Sequence, residues 1–384
     1  MTASAHTPVS LLHHFAELDD PRTDHTRLHN LLDIIALTLC AVVSGAEGWT
    51  DVEGYGEEKQ DWLETFLDLP NGIPSHDTIG RVFGAMDAAT FQECFLSWMH
   101  AVVGASNGKL IAIDGKTLRR SFDTANRKSA IHLVSAWASE NHLLLGQQAV
   151  ADRSNEITAI PALLKLLDLQ GALVTIDAMG CQKRITEEIV AGGADYVLAV
   201  KENQPTLHAD VQRVFMDALE DDFKGLTHRY HRTKEEAHGR TEERHYHLIE
   251  VPEELARKHS QFAGMRTLGM VFLQRQVGNG PEGLETRFYI SSMGLKVKAF
   301  AEAVRGHWSI ENNLHWVLDV VFQEDASRLR KDHGPENLGL IRRIALSLLK
   351  RATARKKKTS VACKRKLAGW NNDFLVAVLL QDGA

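Results

Sequence analysis

Apolar residues recur every three or four positions through the first hundred residues, which is the spacing of an amphipathic helix. The clearest instance is formed by Leu28, Leu31, Leu32, Ile35 and Leu39. After a turn-rich segment, Ser75 and Asp77 predict the start of another helix, and a further helix is expected over residues 88–103. The pattern therefore predicts a helical N-terminal domain over residues 1–105, which ends in a linker at residues 105–109.

The pattern changes at residue 110 to short apolar runs, which are typical of buried strands. The predicted strands cover residues 110–114, 131–139, 143–150, 173–177 and 196–200. Helical spacing occupies the two gaps between the last three runs, at residues 157–169 and 182–191. This order of elements predicts an α/β fold with a mixed sheet and flanking helices.

Residues 226–292 interrupt this alternation and predict an inserted β-rich unit. Three strands are expected in it, over residues 242–251, 267–276 and 286–292. Helical spacing then returns over residues 299–321, 337–352 and 373–380. We interpret residues 106–225 and residues 293–384 as two parts of one α/β core, with the insertion between them.

The composition is that of an ordinary globular protein, because 44% of the residues are hydrophobic and 24% are charged. The four cysteines lie far apart, which argues against a zinc ribbon or a disulfide scaffold and fits the reduced cytoplasm. The chain begins without a basic and then apolar leader, and its long apolar run at residues 31–44 is shorter than a membrane span of about 20 residues. We expect a cytoplasmic protein with no membrane partner.

The net charge of −6 conceals an uneven distribution. Residues 1–100 carry four basic and sixteen acidic side chains, whereas residues 328–366 carry fourteen basic and two acidic ones. A basic end on an acidic chain indicates a polyanionic partner, although a solvated helix face and a soluble tail explain the same charges. The expected basic track consists of Arg328, Arg330, Lys331, Arg342 and Arg343, extended by residues 355–358.

Two aspartates end strongly apolar strands: Asp114 follows Ile-Ala-Ile, and Asp177 follows Val-Thr-Ile. A carboxylate in such a place is costly unless a cation or hydrogen bonds satisfy it. If the two strands are neighbours, about 4.8 Å apart, both carboxylates surround one small volume and favour a divalent cation. Each aspartate taken alone is more simply explained as a cap of the following turn.

A third carboxylate, Glu311, lies one helical turn from both His307 and His315. This face is able to bind a metal or to contact DNA, and a solvated acidic face remains an alternative. A magnesium or manganese site would use the oxygen of the glutamate rather than the histidines. Glu324 and Asp325 follow closely enough to be rival third acids.

Longer motifs carry a family resemblance that runs over nearly the whole chain. They read IAIDGKTLRR, SNEITAIP, TIDAMGCQ, VKENQ and HWSIENNLHWVLDVVFQED, preceded by DDPR and LPNGIPSHDTIGRVF. Together they resemble the ISAs-type insertion-sequence transposases, which include the H-repeat-associated proteins. The resemblance implies a ribonuclease H-like fold and a DDE transposase that cleaves and transfers DNA strands of its own insertion sequence.

Carried over by position, the resemblance makes Asp114, Asp177 and Glu311 the three catalytic acids, which would hold two Mg²⁺ or Mn²⁺ ions. A related group of these transposases places a tyrosine, an arginine and a lysine around its glutamate. This chain has Val304, His307 and Leu318 at those places. The departure concerns the supporting residues and leaves the glutamate intact.

The expected partner is double-stranded DNA, both the terminal repeats of the element and its target. At least a dimer is expected, because two ends must be brought together, and the protein would associate with the nucleoid. The residues expected to contact DNA are Lys116, Arg119, Arg120, Lys201, Asn203, His307, His315, Arg328, Arg330, Arg342 and Arg343. Surface solubility and loop solvation explain several of them equally well.

Two other functions stay open at this point. A decayed transposase would bind DNA without cutting it, but the complete set of acids argues against this. A ribonuclease H-like repair nuclease would share the core, but the helical N-terminal domain and the β-rich insertion argue for the recognition of element ends. Glu156, in Ser-Asn-Glu-Ile-Thr, is predicted to belong to a helix N-terminal cap.

Overall fold

The structure is a computed structural model. It describes residues 10–23, 27–103, 110–122, 129–140, 142–150, 155–237, 239–278, 280–281, 283–354 and 358–380. The predicted linker at residues 105–109 lies outside the described residues. Three residues of the basic cluster, Arg355, Lys356 and Lys357, lie outside them as well.

The helices and strands have the following bounds. The helices are α1 (Leu31–Ser44), α2 (Trp49–Glu58), α3 (Gln60–Leu63), α4 (His76–Ala85), α5 (Ala88–Val103), α6 (Glu156–Lys165), α7 (Lys183–Ala191), α8 (Pro205–Glu220), α9 (Glu253–Lys258), α10 (Val297–His307), α11 (Trp316–Val320), α12 (Gly334–Arg351), α13 (Val361–Trp370) and α14 (Asn372–Leu380). The strands are β1 (Leu110–Thr117), β2 (His132–Ala138), β3 (Leu143–Ala149), β4 (Leu173–Ile176), β5 (Asp195–Val200), β6 (His228–Ala237), β7 (Arg240–Glu250), β8 (Thr267–Val277) and β9 (Gly283–Ser291).

The strands form one mixed sheet in the order β3-β2-β1-β4-β5-β9-β8-β7-β6. Strand β1 pairs antiparallel with β2 and parallel with β4, and β4 pairs parallel with β5. Three antiparallel strands followed by two parallel ones, in the order 3-2-1-4-5, are the ribonuclease H-like arrangement. The predicted fold class is therefore confirmed, and the carboxyl ends of β1, β4 and β5 face the same way.

The β-rich insertion contains four strands rather than the three expected, and it is continuous with the main sheet. Strand β9 pairs antiparallel with β5, where Val197 lies opposite Ser291. The overlooked strand is β6, whose sequence His-Arg-Tyr-His-Arg-Thr-Lys-Glu-Glu-Ala is almost entirely polar. A search for apolar runs passes over such a strand, because backbone pairing with β7 and polar side-chain contacts such as Arg232–Glu243 hold it in the sheet.

The long helix expected over residues 299–321 is not continuous. It is divided into α10, a π-helical turn at Glu311–His315 and α11. Such one-turn π segments often occur at functional sites. Helices α8, α9 and α13 were not predicted at all.

Helices from both ends of the chain share one hydrophobic core. Helix α1 packs against α12 and α13, and its buried Ile34 and Leu37 belong to the same apolar cluster as Leu340 and Ile344. The predicted domain boundary near residue 105 thus separates in sequence what packs together in space, and the three predicted boundaries stay predictions. Among the described residues, no single helix meets the length and apolarity of a membrane span, although α1 and α2, bent by 94°, meet them as a pair.

Helix α10 lies on one face of the sheet, where a close contact fixes its position. Phe300 packs edge-on against Tyr246 and Tyr289, with ring centroids 6.3 and 5.5 Å apart. A Cβ atom at Gly269 of β8 would lie 2.4 Å from the Phe300 ring, so this site requires glycine. Because α10 is anchored in this way, the residues that follow it lie near the carboxyl ends of the parallel strands.

A fully buried ion pair connects the segment after α11 to α12. The side chains of Glu324 and Arg343 are both 0% exposed, and Oε1 lies 2.7 Å from Nη1. The guanidinium also donates to the carbonyl of Gly339, at 2.9 Å. Removing one partner of a buried ion pair leaves the other charge uncompensated in a low-dielectric interior, which is destabilising. Replacing both partners by apolar side chains avoids this cost.

We predict that Glu324→Ala lowers the free energy of unfolding by about 3–5 kcal/mol, because it leaves the Arg343 cation buried without a partner. The double variant Glu324→Leu/Arg343→Met is expected to remain close to the wild-type stability. Urea unfolding followed by circular dichroism measures both values. A single variant as stable as the wild type would contradict the buried pair.

Candidate active site

Asp114 and Asp177 lie side by side at the ends of two parallel strands. The last residue pair in the register of β1 and β4 is Ile113 with Ile176, so each aspartate stands one position beyond it. Asp177 also accepts hydrogen bonds from the backbone amides of Met179 and Gly180, at 3.0 and 3.4 Å. The capping role considered for a lone aspartate is therefore present as well, but it does not explain why two carboxylates meet.

Glu311 joins them from the opposite side. It opens the π-helical turn after α10, and all three carboxylates line one cavity of about 220 Å³. Other residues around this cavity are Thr175, Lys201, His208, Arg287, His307 and Trp308. The structure thus brings together three acids that are widely separated in the sequence.

The three carboxylates disturb one another's titration. Burial and the nearby charge of Asp114 raise the pKa of Glu311. Burial, Asp114 and Glu156 raise the pKa of Asp177. Burial alone would raise the pKa of Asp114 too, but the neighbouring rings of His315 and His307 lower it below its usual value. The cavity therefore concentrates negative charge that the described residues only partly neutralise.

Two histidines stand beside these acids. His315 is 5% exposed, its Nε2 lies 3.3 Å from Oδ2 of Asp114, and neither ring nitrogen has a hydrogen-bond partner among the described residues. The ring is buried against the aspartate, and the contact of His315 with DNA stays a prediction. His307 is partly buried, and its Nδ1 lies 3.2 Å from Oγ1 of Thr175, so its contact with DNA stays a prediction.

The donor set suits a hard divalent cation. Carboxylate oxygens are the ligands that Mg²⁺ and Mn²⁺ prefer, and the raised pKa values of Asp177 and Glu311 mark charge that a cation would neutralise. In the described part of the chain, no three acidic, histidine or cysteine side chains are already gathered around one metal position. The residues therefore fit such an ion by their chemistry, without a preformed cage.

Residues 105–348 match the family model of the transposase DDE domain, and residues 12–99 match the model of its associated domain, DDE_Tnp_1-associated. The chain belongs to the DDE transposase family. The predicted family is thereby confirmed.

Similar full-length chains carry related names. The "Putative transposase YncI" of Escherichia coli O157:H7 is 42% identical over 96% of this chain and 94% of its own length. The "H repeat-associated putative transposase YhhI" of Escherichia coli K12 is 40% identical over 97% of this chain and 98% of its own length. A solved piggyBac transposase synaptic complex with hairpin DNA aligns with a TM-score of 0.40 and 10% identity, over 96% of this chain and 77% of that chain.

In this DDE transposase, Lys116 has a structural position rather than an exposed one. It is 8% exposed, and its Nζ lies 2.5 Å from Oδ1 of Asp319 and 3.1 Å from Oδ1 of Asp325. These two carboxylates already pair with its charge, and the contact of Lys116 with DNA phosphates stays a prediction. The contacts tie β1, which carries Asp114, to α11, which follows Glu311.

Two arginines of the expected basic track are also buried. Arg343 pairs with Glu324, and Arg342, which is 3% exposed, donates to the backbone carbonyl of Glu47 at 2.9 Å. Their charges are directed into the protein, and their contact with DNA stays a prediction. The same pairing occupies Glu324, and Asp325 faces Lys116, so neither rival acid lines the cavity.

The remaining predicted contacts are exposed. This group consists of Arg119, Arg120, Lys201, Asn203, Arg328 and Arg330. Asn203 donates to the carbonyl of Ala178 at 2.5 Å, which holds the loop after β5 against the turn that follows Asp177. Contact of these residues with DNA stays a prediction.

Glu156 makes a different contact in the structure from the helix cap that the sequence predicts for it. The cap of α6 is Asn155, whose Oδ1 accepts from the amide of Ile157 at 3.1 Å. Glu156 instead lies 2.6 Å from Nε2 of His132 and adds negative charge beside Asp177. A Cβ atom at Gly115 would lie 2.2 Å from Oε1 of Glu156. The glycine after Asp114 was therefore the sequence feature that could have indicated a close neighbour at this position.

Without metal, Asp177→Asn is expected to raise the free energy of unfolding at pH 7. The pKa of Asp177 is raised in the folded protein, so its ionised form opposes folding at neutral pH, and this effect disappears as the pH falls below that pKa. Asparagine removes the charge and keeps an acceptor for the turn. Urea unfolding in the presence of a chelator provides the measurement.

The control is Asp61→Asn, which changes an exposed aspartate on α3 and should leave the stability nearly unchanged. If Asp177→Asn is less stable than the wild type in the same buffer, the two strand-end carboxylates do not repel each other as described.

Proposed function

We propose that this transposase cleaves and joins DNA at the ends of its own insertion sequence, in a reaction that depends on Mg²⁺ or Mn²⁺. Hydrolysis would cut one strand at the element's end, and the freed 3′-hydroxyl would attack the target strand. The observation that carries the proposal is the convergence of Asp114, Asp177 and Glu311 on one cavity at the carboxyl ends of parallel strands.

Asp114, Asp177 and Glu311 would hold the metal. When bound, such ions supply activation of the attacking oxygen and stabilisation of the leaving one. His315 lies against Asp114, with Nε2 3.3 Å from Oδ2, and its charge when protonated would offset part of the charge of the carboxylate. Lys116 connects β1 with α11 through its contact with Asp319. A serine or tyrosine nucleophile is not required, since the attacking groups are water and the 3′-hydroxyl of DNA.

The proposed substrates are duplex DNA carrying the terminal repeat and a second duplex as target. The exposed Lys201 lines the same cavity as the acids, and Arg119 follows β1 directly. Because two element ends must be joined to one target, we propose that at least two copies of the chain act together. The names of the relatives as transposases support this substrate class.

Asp114→Asn, Asp177→Asn and Glu311→Gln should each reduce strand cleavage by at least about 100-fold, because each removes an oxygen donor for metal-assisted hydrolysis. Binding of the duplex should persist. The assay follows a labelled duplex of the inverted repeat that flanks the coding region, incubated with Mg²⁺ and resolved on a denaturing gel.

Asp325→Asn is the matched control, because this rival acid faces Lys116 rather than the cavity, and it should retain cleavage within about tenfold of the wild type. Cleavage by Asp177→Asn at the wild-type rate would reject the site. A wild-type chain that binds the duplex without cutting it would indicate a decayed transposase.

A second measurement examines the metal without relying on activity. Mn²⁺ should raise the melting temperature of the wild-type protein, because a ligand that binds only the folded state stabilises it. The shift should be lost in Asp114→Asn/Asp177→Asn and kept in Asp325→Asn. Equal shifts in both variants would mean that the ion binds elsewhere.

A further inference from the structure

A second and larger cleft lies between the N-terminal helices and the segment that follows the third acid. It has a volume of about 640 Å³ and is bordered by α2, α4 and residues 326–334. Neither the catalytic acids nor their histidines line it. The cleft is therefore distinct from the cavity that holds the proposed reaction.

Well-packed elements form the walls of this cleft. The ring of Trp49 stacks on Phe83, with centroids 4.9 Å apart, and a Cβ atom at Gly80 would lie 3.0 Å from Trp49. The side-chain amide of Asn337 on α12 donates to the carbonyls of Phe83 and Met86, at 2.8 and 2.9 Å. Helix α4 is thus fastened both to α2 and to α12, so the shape of the cleft is built into the fold.

Four cationic side chains line the cleft, and they come from two distant parts of the chain. They are Arg81 on α4 and Arg328, Arg330 and Lys331 on the following segment. Two carboxylates, Glu47 and Asp77, line it as well, which leaves an excess of two positive charges with histidine neutral. Within the described ranges, no carboxylate lies in ion-pair contact with Arg81, Arg328 or Lys331.

This excess is notable because the surrounding N-terminal region is strongly acidic, with four basic and sixteen acidic side chains in residues 1–100. Two of those four cations, Arg22 and Arg27, pair with Asp20. Lys59 bonds to Asn372. Arg81 is the remaining cation, and it points into the cleft. Charge that is unpaired within an otherwise acidic region indicates an anionic ligand.

The cleft is linked to the strand that carries Asp114. Arg330 donates to the carbonyl of Arg120 at 3.3 Å, and its guanidinium lies 4.8 Å from the ring centroid of Phe122. Arg119 lies 3.3 Å from Asp325, a residue that also contacts Lys116 of β1. The exposed basic side chains therefore form one path from the cleft to the loop after β1.

We propose that this cleft binds the phosphate backbone of duplex DNA and that Arg330, Arg120 and Arg119 continue the contact toward the active cavity. The proposal rests on the proposed function. The basic side chains continue beyond the cleft from Arg330 to the loop after β1, and a ligand that follows such a path carries repeated negative charges, as the DNA backbone does. Trp49 is already packed between Phe83 and Gly80, so the cleft reads phosphate rather than an unstacked base, and such contacts carry little sequence preference.

The test uses the full chain, a chelator and a fluorescein-labelled random-sequence duplex, with affinity measured over a range of salt concentrations. The variant Arg81→Gln/Arg328→Gln/Lys331→Gln should lower the slope of log K against log salt by about 2–3, since each phosphate contact contributes about 0.9. The charge-preserving variant Arg81→Lys/Arg328→Lys/Lys331→Arg is the matched control and should keep the wild-type slope.

If the triple glutamine variant unfolds, Arg328→Gln alone replaces it, with an expected loss of about 0.9 in the slope. An unchanged slope in a natively folded variant overturns the proposal, and so does a wild-type chain that fails to bind the duplex. The chelator excludes cleavage, so this result is independent of the acid variants. The two proposals can therefore fail separately. A reduced slope in the triple glutamine variant supports the cleft, whether or not the acid variants lose cleavage.

Discussion

Two like charges held at the ends of adjacent parallel strands are the constraint on which the site depends. The pairing of β1 with β4 fixes Asp114 and Asp177 at neighbouring positions, and Glu311 adds a third carboxylate to the same cavity. Repulsion of this kind costs stability unless something opposes it. His315 offsets part of the charge on Asp114, and the remainder is the electrostatic basis for a divalent cation.

The ion pairs behind the site transmit this constraint to the rest of the molecule. Lys116 connects β1 with Asp319 and Asp325, and Glu324 in the same turn pairs with Arg343 of α12. The strand that carries Asp114 and the helix that follows Glu311 are therefore joined through ion pairs of the buried Lys116 with partly buried carboxylates. Helix α12 in turn holds α4 through Asn337, so the basic cleft and the acidic cavity share one rigid support.

The sequence was informative where a pattern is local and less so where tertiary contacts decide. The five strands β1 to β5 follow from their apolar runs, and the positions of Asp114 and Asp177 follow from the two runs that end in a carboxylate. Strand β6 was missed because its pairing uses the backbone and leaves its side chains polar. A charge count cannot distinguish Arg343, which is buried, from Arg328, which is exposed, because burial depends on partners such as Glu324 that the count does not reveal.

The core shared by the two ends of the chain has a consequence for biosynthesis. Arg365 on α13 donates to the carbonyl of Val42 on α1, and α1 is covered by α12 and α13. On the ribosome, α1 emerges early, but the helices that cover it are translated near the end. The nascent protein must therefore carry an exposed apolar helix through most of its synthesis, a state in which chains are prone to aggregate and depend on chaperones. Contacts of such long sequence separation also favour slow folding, so newly made chains reach the folded state slowly.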